Sequence, residues 1–256
     1  WSSDVCSSDL VEQLKKEGVN TDGIKIDQER LTALVILGIR NKNDFPLIFY
    51  RENCADMALS TNDIDKKFIS RAKCVCATGT HLSNVNVEGA TIKAISIARK
   101  LKKKTVLDID FRPNLWGLSD HNDGENRYIK SSEVTKKLQK NLRLFDLIVG
   151  TEEEFHIAGG INHTIKALKN VRSLTEAVLV CKRGPYGASI FENTIKSNLE
   201  KGITGRNFKI AVFNVLGAGD GFMAGLLRGW LKNKNWETCL DFANACRSEE
   251  HTSELQ

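Results

Sequence analysis

Asp220 closes the run Gly217-Ala218-Gly219-Asp220, the residue pattern in this chain with the most evident chemistry. Glycines at a turn let backbone N–H groups approach an anion, and a helix beginning there adds partial positive charge. A carboxylate in the first helical turn can accept the proton of an incoming hydroxyl. An electrostatic cradle beside a base is what phosphoryl transfer needs. The same four residues also read as a common turn in which the acid merely caps a helix. Gly217, Gly221, Gly225 and Gly229 recur every fourth residue, so one helix face is almost bare backbone. That suits close approach of a helix or ligand, although each interior glycine costs roughly 1 kcal/mol relative to alanine. A membrane helix pair uses such spacing too, but Asp220, Arg228 and Lys232 within so short a segment oppose it.

Other reactive residues cluster in short runs. Asp108 and Asp110 alternate along a strand, sharing one face, and Arg112 follows; an acid–arginine pair bracing the loop before Pro113 is the plain alternative. Thr151 precedes three glutamates ending at Glu154, a composition that favours a helix N-terminus. Cys181-Lys182-Arg-Gly184-Pro-Tyr-Gly187 offers a point charge for phosphate at Lys182 and tight backbone turns at Gly184 and Gly187. A β-turn with a solvated lysine is its alternative. Arg51 and Arg112 together suit a carboxylate, because a guanidinium forms bidentate hydrogen bonds that a neutral sugar does not need. No G-x-x-x-x-G-K-[ST] run occurs, which excludes a P-loop enzyme.

The elements that must carry these residues alternate. Val11 to Glu17 reads as the close of a helix, and residues 18–23 as a turn. Leu31–Leu37 and Phe45–Tyr50 are expected as strands of a hairpin joined by Asn41-Lys-Asn-Asp44. Strands follow at Val75–Thr78, Thr105–Asp110, Phe145–Val149 and Ala177–Val180, and a last one, Phe208–Val215, enters the glycine turn. Between them, Ile92, Ile95, Ala98 and Leu101 mark an amphipathic helix, and others are expected near Ser132–Leu142, Thr164–Val171 and Ala218–Leu231. Such alternation predicts a parallel sheet covered on both faces, with ligands beyond the carboxyl ends of the strands.

Composition agrees. A chain of 256 residues can bury a full core. The net charge of +5 is interspersed, and Lys102-Lys103-Lys104 reads as a solvated helix end, so no nucleic-acid partner is expected. Seven scattered cysteines give no disulfide framework, and the sequence fits a reducing cytoplasm. Cys74-x-Cys76 is too close for the usual zinc spacing. No run is apolar enough to span a bilayer, so no membrane partner is expected. Residues 1–10 and 247–256 are polar and lack a structural period; they are expected to be non-native tails flanking a partial kinase domain at 11–246.

Asn214-Val-Leu-Gly-Ala-Gly-Asp-Gly-Phe222 resembles the signature D-T-T-G-A-G-D-x-F of the ribokinase-like, PfkB-type carbohydrate kinases. Asn214, Val215 and Leu216 depart from it, while the glycine core, Asp220 and Phe222 match. Asp108-Ile-Asp-Phe-Arg-Pro-Asn-Leu-Trp116 is similar to the family's D-x-N-x-R-xx-L-W, with Asp110 replacing asparagine. Gly150-Thr-Glu-Glu-Glu154 resembles N-x-x-E with Thr151 replacing asparagine, and Lys182 to Gly187 resembles K-x-G-xx-G. The likeness covers about Val11 to Cys246.

The resemblance implies a three-layer α/β/α sandwich with a mainly parallel sheet and a small β lid, formed by residues 31–56. It implies Asp220 as catalytic base, with the amides of Gly217, Ala218, Gly219 and Asp220 as anion hole. Lys182, Gly184, Gly187 and Thr151 would lie beside ATP, and Glu154 would help hold Mg²⁺ through water, since that ion keeps much of its hydration shell. Arg51, Arg112 and Asp110 would face the sugar. Relatives that act on keto-deoxy sugar acids place a Tyr-Arg pair in the lid, as Tyr50-Arg51 does here. The implied reaction is ATP-dependent phosphorylation of a primary hydroxyl of a sugar acid, 5-dehydro-2-deoxygluconate foremost, with 2-dehydro-3-deoxygluconate or fructose as alternatives. A homodimer through the β lid stays open. So does a different class, an inactive fragment that acts at most as a nucleotide-binding module.

Overall fold

The computed structural model describes residues 3–38, 47–119, 128–212 and 215–252. Its main sheet runs in the order β3-β4-β5-β6-β7-β8, formed by Cys74–Thr78, Lys104–Asp108, Leu147–Thr151, Val178–Lys182, Ala188–Phe191 and Ile203–Thr204. The first four strands are parallel; β7 runs antiparallel to β6, and β8 antiparallel to β7. A separate antiparallel pair, β1 (Leu34–Leu37) and β2 (Leu47–Tyr50), forms the expected hairpin-like ladder, with Leu34 opposite Tyr50. Its turn at 41–44 lies outside the described residues.

The parallel strands are apolar on both faces, as strands buried by helices on each side must be. On one face Leu107, Ile148 and Leu179 pack against Ile95 of α3 (Val85–Lys100), Leu138 of α4 (Ser132–Asn141), Phe155 of α5 (Glu152–Gly159) and Leu168 of α6 (Thr164–Arg172). On the other, Val106, Val149 and Val180 meet Phe222 and Leu226 of α7 (Ala218–Leu231) and Leu240 and Ala243 of α8 (Trp236–Thr252). These are three layers, α/β/α. The remaining helices are α1 (Ser3–Lys16) and the short α2 (Lys66–Arg71).

α7 has the expected bounds; β5 is shifted two residues along, and β6 starts one and ends two residues later than expected. Two expectations are corrected. Phe208 to Val212 is not a strand: Phe208 and Val212 are 42% and 40% exposed. Strand preference is realised by pairing on a half-buried surface, and among the described residues the sheet ends at β8, so this run has no ladder to join. Asn214 lies outside the described residues. β4 ends at Asp108, and Asp110 turns to φ +34°, a conformation aspartate tolerates better than most residues. The two acids therefore do not share one strand face. Residues 3–10 and 247–252 continue α1 and α8 as helix, because extending a formed helix is far easier than nucleating one; this bears on their conformation and not on their origin.

Candidate active site

Backbone geometry makes the front of α7 an open cradle. Gly217 takes φ +76° to cap the helix without any side-chain hydrogen bond. The Gly221 N–H donates to the Gly217 carbonyl at 2.8 Å. A Cβ built on Gly219 would meet nothing within 4 Å, so that side of the turn is free for a ligand. Asp220 stands exposed in the first turn. Further along, the glycines serve packing: a Cβ on Gly225 would lie 2.4 Å from the Phe242 carbonyl oxygen, and one on Gly229 2.8 Å from Cys239 Sγ. The four-residue glycine spacing thus divides between an open helix start and a close helix–helix seam.

Strand alternation sends Cys76, Asp108 and Lys182 to the face that α7 covers, at or near the carboxyl ends of β3, β4 and β6. Lys182 Nζ lies 3.3 Å from Asp108 Oδ1 and 3.9 Å from Glu154 Oε2. Burial would lower the Lys182 ammonium, but Asp108 and Glu154 outweigh it and hold it above its ordinary value. Burial raises Asp108 above the usual carboxylate range, against the pull of Lys182. Lys182 is therefore not a solvated lysine. Its charge is shared between two carboxylates.

Glu154 and Thr151 form a reciprocal cap on α5. The Glu154 N–H donates to Thr151 Oγ1 at 3.2 Å, and the Thr151 N–H donates to Glu154 Oε2 at 2.7 Å. Glu154 Oε1 also accepts the Phe111 N–H at 3.3 Å, tying α5 to the segment after β4. Both carboxylate oxygens already accept a backbone N–H, so a directly bound metal ion would share them with these bonds. Orientation of a metal-bound water is the contact that fits the oxygen chemistry of Mg²⁺. Among the described residues, no group of three or more His, Cys, Asp or Glu side chains could by itself hold a metal ion.

Solvent reaches the Cys76 thiol, yet protein surrounds it closely enough that desolvation, then Asp108, Cys74 and Asp220, push it up to about 12. Asp108 and Asp220 both bear on this thiol electrostatically. At neutral pH iodoacetamide is expected to label Cys76 at least about 10²-fold more slowly than free cysteine, rising tenfold per pH unit toward pH 10. Labelling at the free-cysteine rate at pH 7.5, followed by mass spectrometry, would contradict this electrostatic setting.

Beyond the strand tips lies a polar group of the opposite character. Arg112 Nη2 sits 2.8 Å from Asp110 Oδ1, and its guanidinium lies 5.9 Å from the centre of the Phe49 ring of β2. Thr80 donates to Asp110 at 3.5 Å. His81 is lowered by burial and then by Arg51, with Asp56 and Asp110 opposing. Arg51 Nε donates to Asp56 Oδ2 at 3.0 Å, and its Nη2 pairs with the same oxygen. Phe49, Thr80 and His81 were not singled out from the sequence. The signal that could have found Thr80 and His81 is their place just after β3, where ligands of such sheets collect.

The turn after β6 is built as its glycines require. Gly184 and Gly187 have φ +51° and +79°, and the Arg183 N–H donates to the Gly187 carbonyl at 2.8 Å. Nothing within 4 Å would meet a Cβ at Gly184, whereas Gly187 faces Asn207 Oδ1 at 3.1 Å.

A mixed, mostly parallel sheet covered by helices on both faces, with a separate two-stranded antiparallel pair, is a ribokinase-like fold. The chain belongs to the pfkB family of carbohydrate kinases, whose sequence model matches residues 3–249. It is similar to the 5-dehydro-2-deoxygluconokinase of Listeria monocytogenes, 28% identical over 235 residues, or 90% of this chain and 66% of the relative. The enzyme of the same name from Geobacillus kaustophilus is 27% identical over 244 residues, covering 93% and 68%. The chain spans about two thirds of the length of these curated relatives. Among solved structures, fructokinase with bound ATP from Xylella fastidiosa superposes with a TM-score of 0.77 at 18% identity, over 95% of this chain and 74% of that one. Aminoimidazole riboside kinase from Salmonella enterica, complexed with aminoimidazole riboside and an ATP analogue, gives 0.73 at 18%, over 96% and 75%. Among the described residues no helix is long and apolar enough to cross a membrane.

Proposed function

We propose that residues 11–246 form the kinase domain portion of an ATP-dependent sugar-acid kinase that phosphorylates a primary hydroxyl, with 5-dehydro-2-deoxygluconate as substrate. The observation that carries this reading is the exposed Asp220 carboxylate beside the open Gly217–Gly219 turn, in a chain of the pfkB family. Asp220 accepts the hydroxyl proton as that oxygen attacks the γ-phosphorus, and the bond to the bridging oxygen of ADP breaks. The amides from Gly217 to Asp220 stabilise charge on the transferring oxygens where the helix dipole is positive. Gly184 and Gly187 let the nucleotide approach the backbone, and Thr151 holds the neighbouring corner as the cap of α5. Mg²⁺, when bound, would supply charge neutralisation at the phosphates, and Glu154 is the residue that would help hold it through water.

Arg112 and Arg51 supply the sugar-acid selectivity, with Asp110 aligning Arg112. Arg51→Lys is expected to raise the KM for the sugar acid about tenfold, the size of one lost charged hydrogen bond, with little effect on that for ATP. An effect on ATP alone would remove Arg51 from the sugar site. The lid carries a second part of the proposal: Leu34 and Ile36 are exposed on β1, an apolar face suited to a homodimer.

A coupled ADP-release assay with 5-dehydro-2-deoxygluconate, 2-dehydro-3-deoxygluconate and fructose tests the reading. Turnover of the first alone supports it, and turnover of another sugar alone moves the substrate. ATP binding without turnover of any sugar would overturn it in favour of a nucleotide-binding module.

A further inference from the structure

The Lys182 ammonium is held inside the protein. Lys182 ends β6 and pairs with Thr151 on β5, while Asp108 ends β4 on the far side of β5. Its side chain therefore reaches across the middle strand to a carboxylate on the next one. The side chains of Lys182, Asp108 and Glu154 are only 16%, 13% and 8% exposed. A buried cation between two carboxylates resists withdrawal, because removing one partner leaves an uncompensated charge. A phosphate contact would have to draw on an ammonium already shared between two carboxylates.

We propose that Lys182 is a positioning residue: its ammonium clamps Asp108 and Glu154, and so fixes the corner between β5 and α5 where Thr151 and Phe111 N–H groups meet the Glu154 carboxylate. This inference rests on the kinase reading for its catalytic consequence, but not for the clamp. Through Glu154 the clamp sets the position of the Thr151 cap and of the Phe111 backbone. It thereby holds the segment that carries Asp110 and Arg112 against the helix that borders the nucleotide.

The test uses the full chain with Lys182→Met, Asp108→Asn and the double variant. Lys182→Met is expected to melt at a lower temperature, and adding Asp108→Asn should restore at least half of the loss, because the buried negative charge leaves with its partner. Strictly additive melting shifts would overturn the clamp. By calorimetry well below the melting temperature, the double variant is expected to bind ADP within threefold of the parent. In the coupled assay Lys182→Met should lower kcat about tenfold with the KM for ATP unchanged within twofold. A double variant that melts like the parent yet binds ADP ten times more weakly, with a raised KM and unchanged kcat, would make Lys182 a phosphate contact and overturn the proposal. A parent chain with neither turnover nor ADP binding would refute the kinase reading, and the catalytic part with it, while the melting cycle still decides the clamp.

Discussion

Asp220→Asn is expected to bind ADP as the parent does while kcat falls by about 10²–10⁴-fold, the usual loss when a positioned base is removed. Asparagine nearly preserves the shape of the side chain, and Asp220 is exposed in the first turn of α7, so folding should be unaffected. The amides of the Gly217 turn remain in place and continue to attract phosphate oxygens. The change should appear in kcat rather than in the KM for ATP, because the proton moves only in the transition state. Parallel steady-state kinetics and calorimetry make the comparison. Unchanged turnover would remove Asp220 from the mechanism, and lost ADP affinity would assign it to nucleotide binding instead.

Gly79→Val is expected to give the largest loss of stability together with a sugar-site defect. A Cβ on Gly79 would lie 2.1 Å from the Ile109 carbonyl oxygen, a distance that real side chains do not reach. Backbone there must move, and overpacking of this kind costs about 1–3 kcal/mol. For a chain of this size the melting temperature should fall by roughly 2–12 °C. The displaced strand tips carry Thr80 and Asp110, which meet at 3.5 Å, so the KM for the sugar acid should rise more than that for ATP. Gly89→Ala is the control: it lies within α3, and its Cβ would meet only the Thr61 methyl group at 3.4 Å. That variant should melt at or above the parent temperature, by about 0.5–1 kcal/mol of helix preference. If Gly79→Val melts like the parent, the two strand tips are not in such close contact.

Much of the site could be read before any fold was known, because its signals are local. The glycine turn and Asp220 were legible because a tight turn, a helix start and an exposed acid each leave a mark within a few residues. The order of strands and helices was legible for the same reason, through the periods of their apolar residues. Thr151 and Glu154 carried a capping pattern in the sequence, yet the family likeness drew attention to metal. The structure places both oxygens of Glu154 on backbone amides, one of them 43 residues distant.

What the chain wrote locally is therefore the alternating α/β order, the open helix start at Gly217 and the acids and arginines that follow the strands. Assembly decided how those charges pair. Lys182 looked like a free cation for phosphate, and it meets Asp108 across 74 residues of chain. Asp108 and Asp110 looked like one acidic face, and a single positive φ sends them to different partners. Phe208 to Val212 looked like a strand, and no neighbouring strand among the described residues pairs with it. In each case the side chain's nature was plain, but its partner was set by packing. Electrostatic and ladder energies depend on distance in space, and spacing along the chain does not specify that distance.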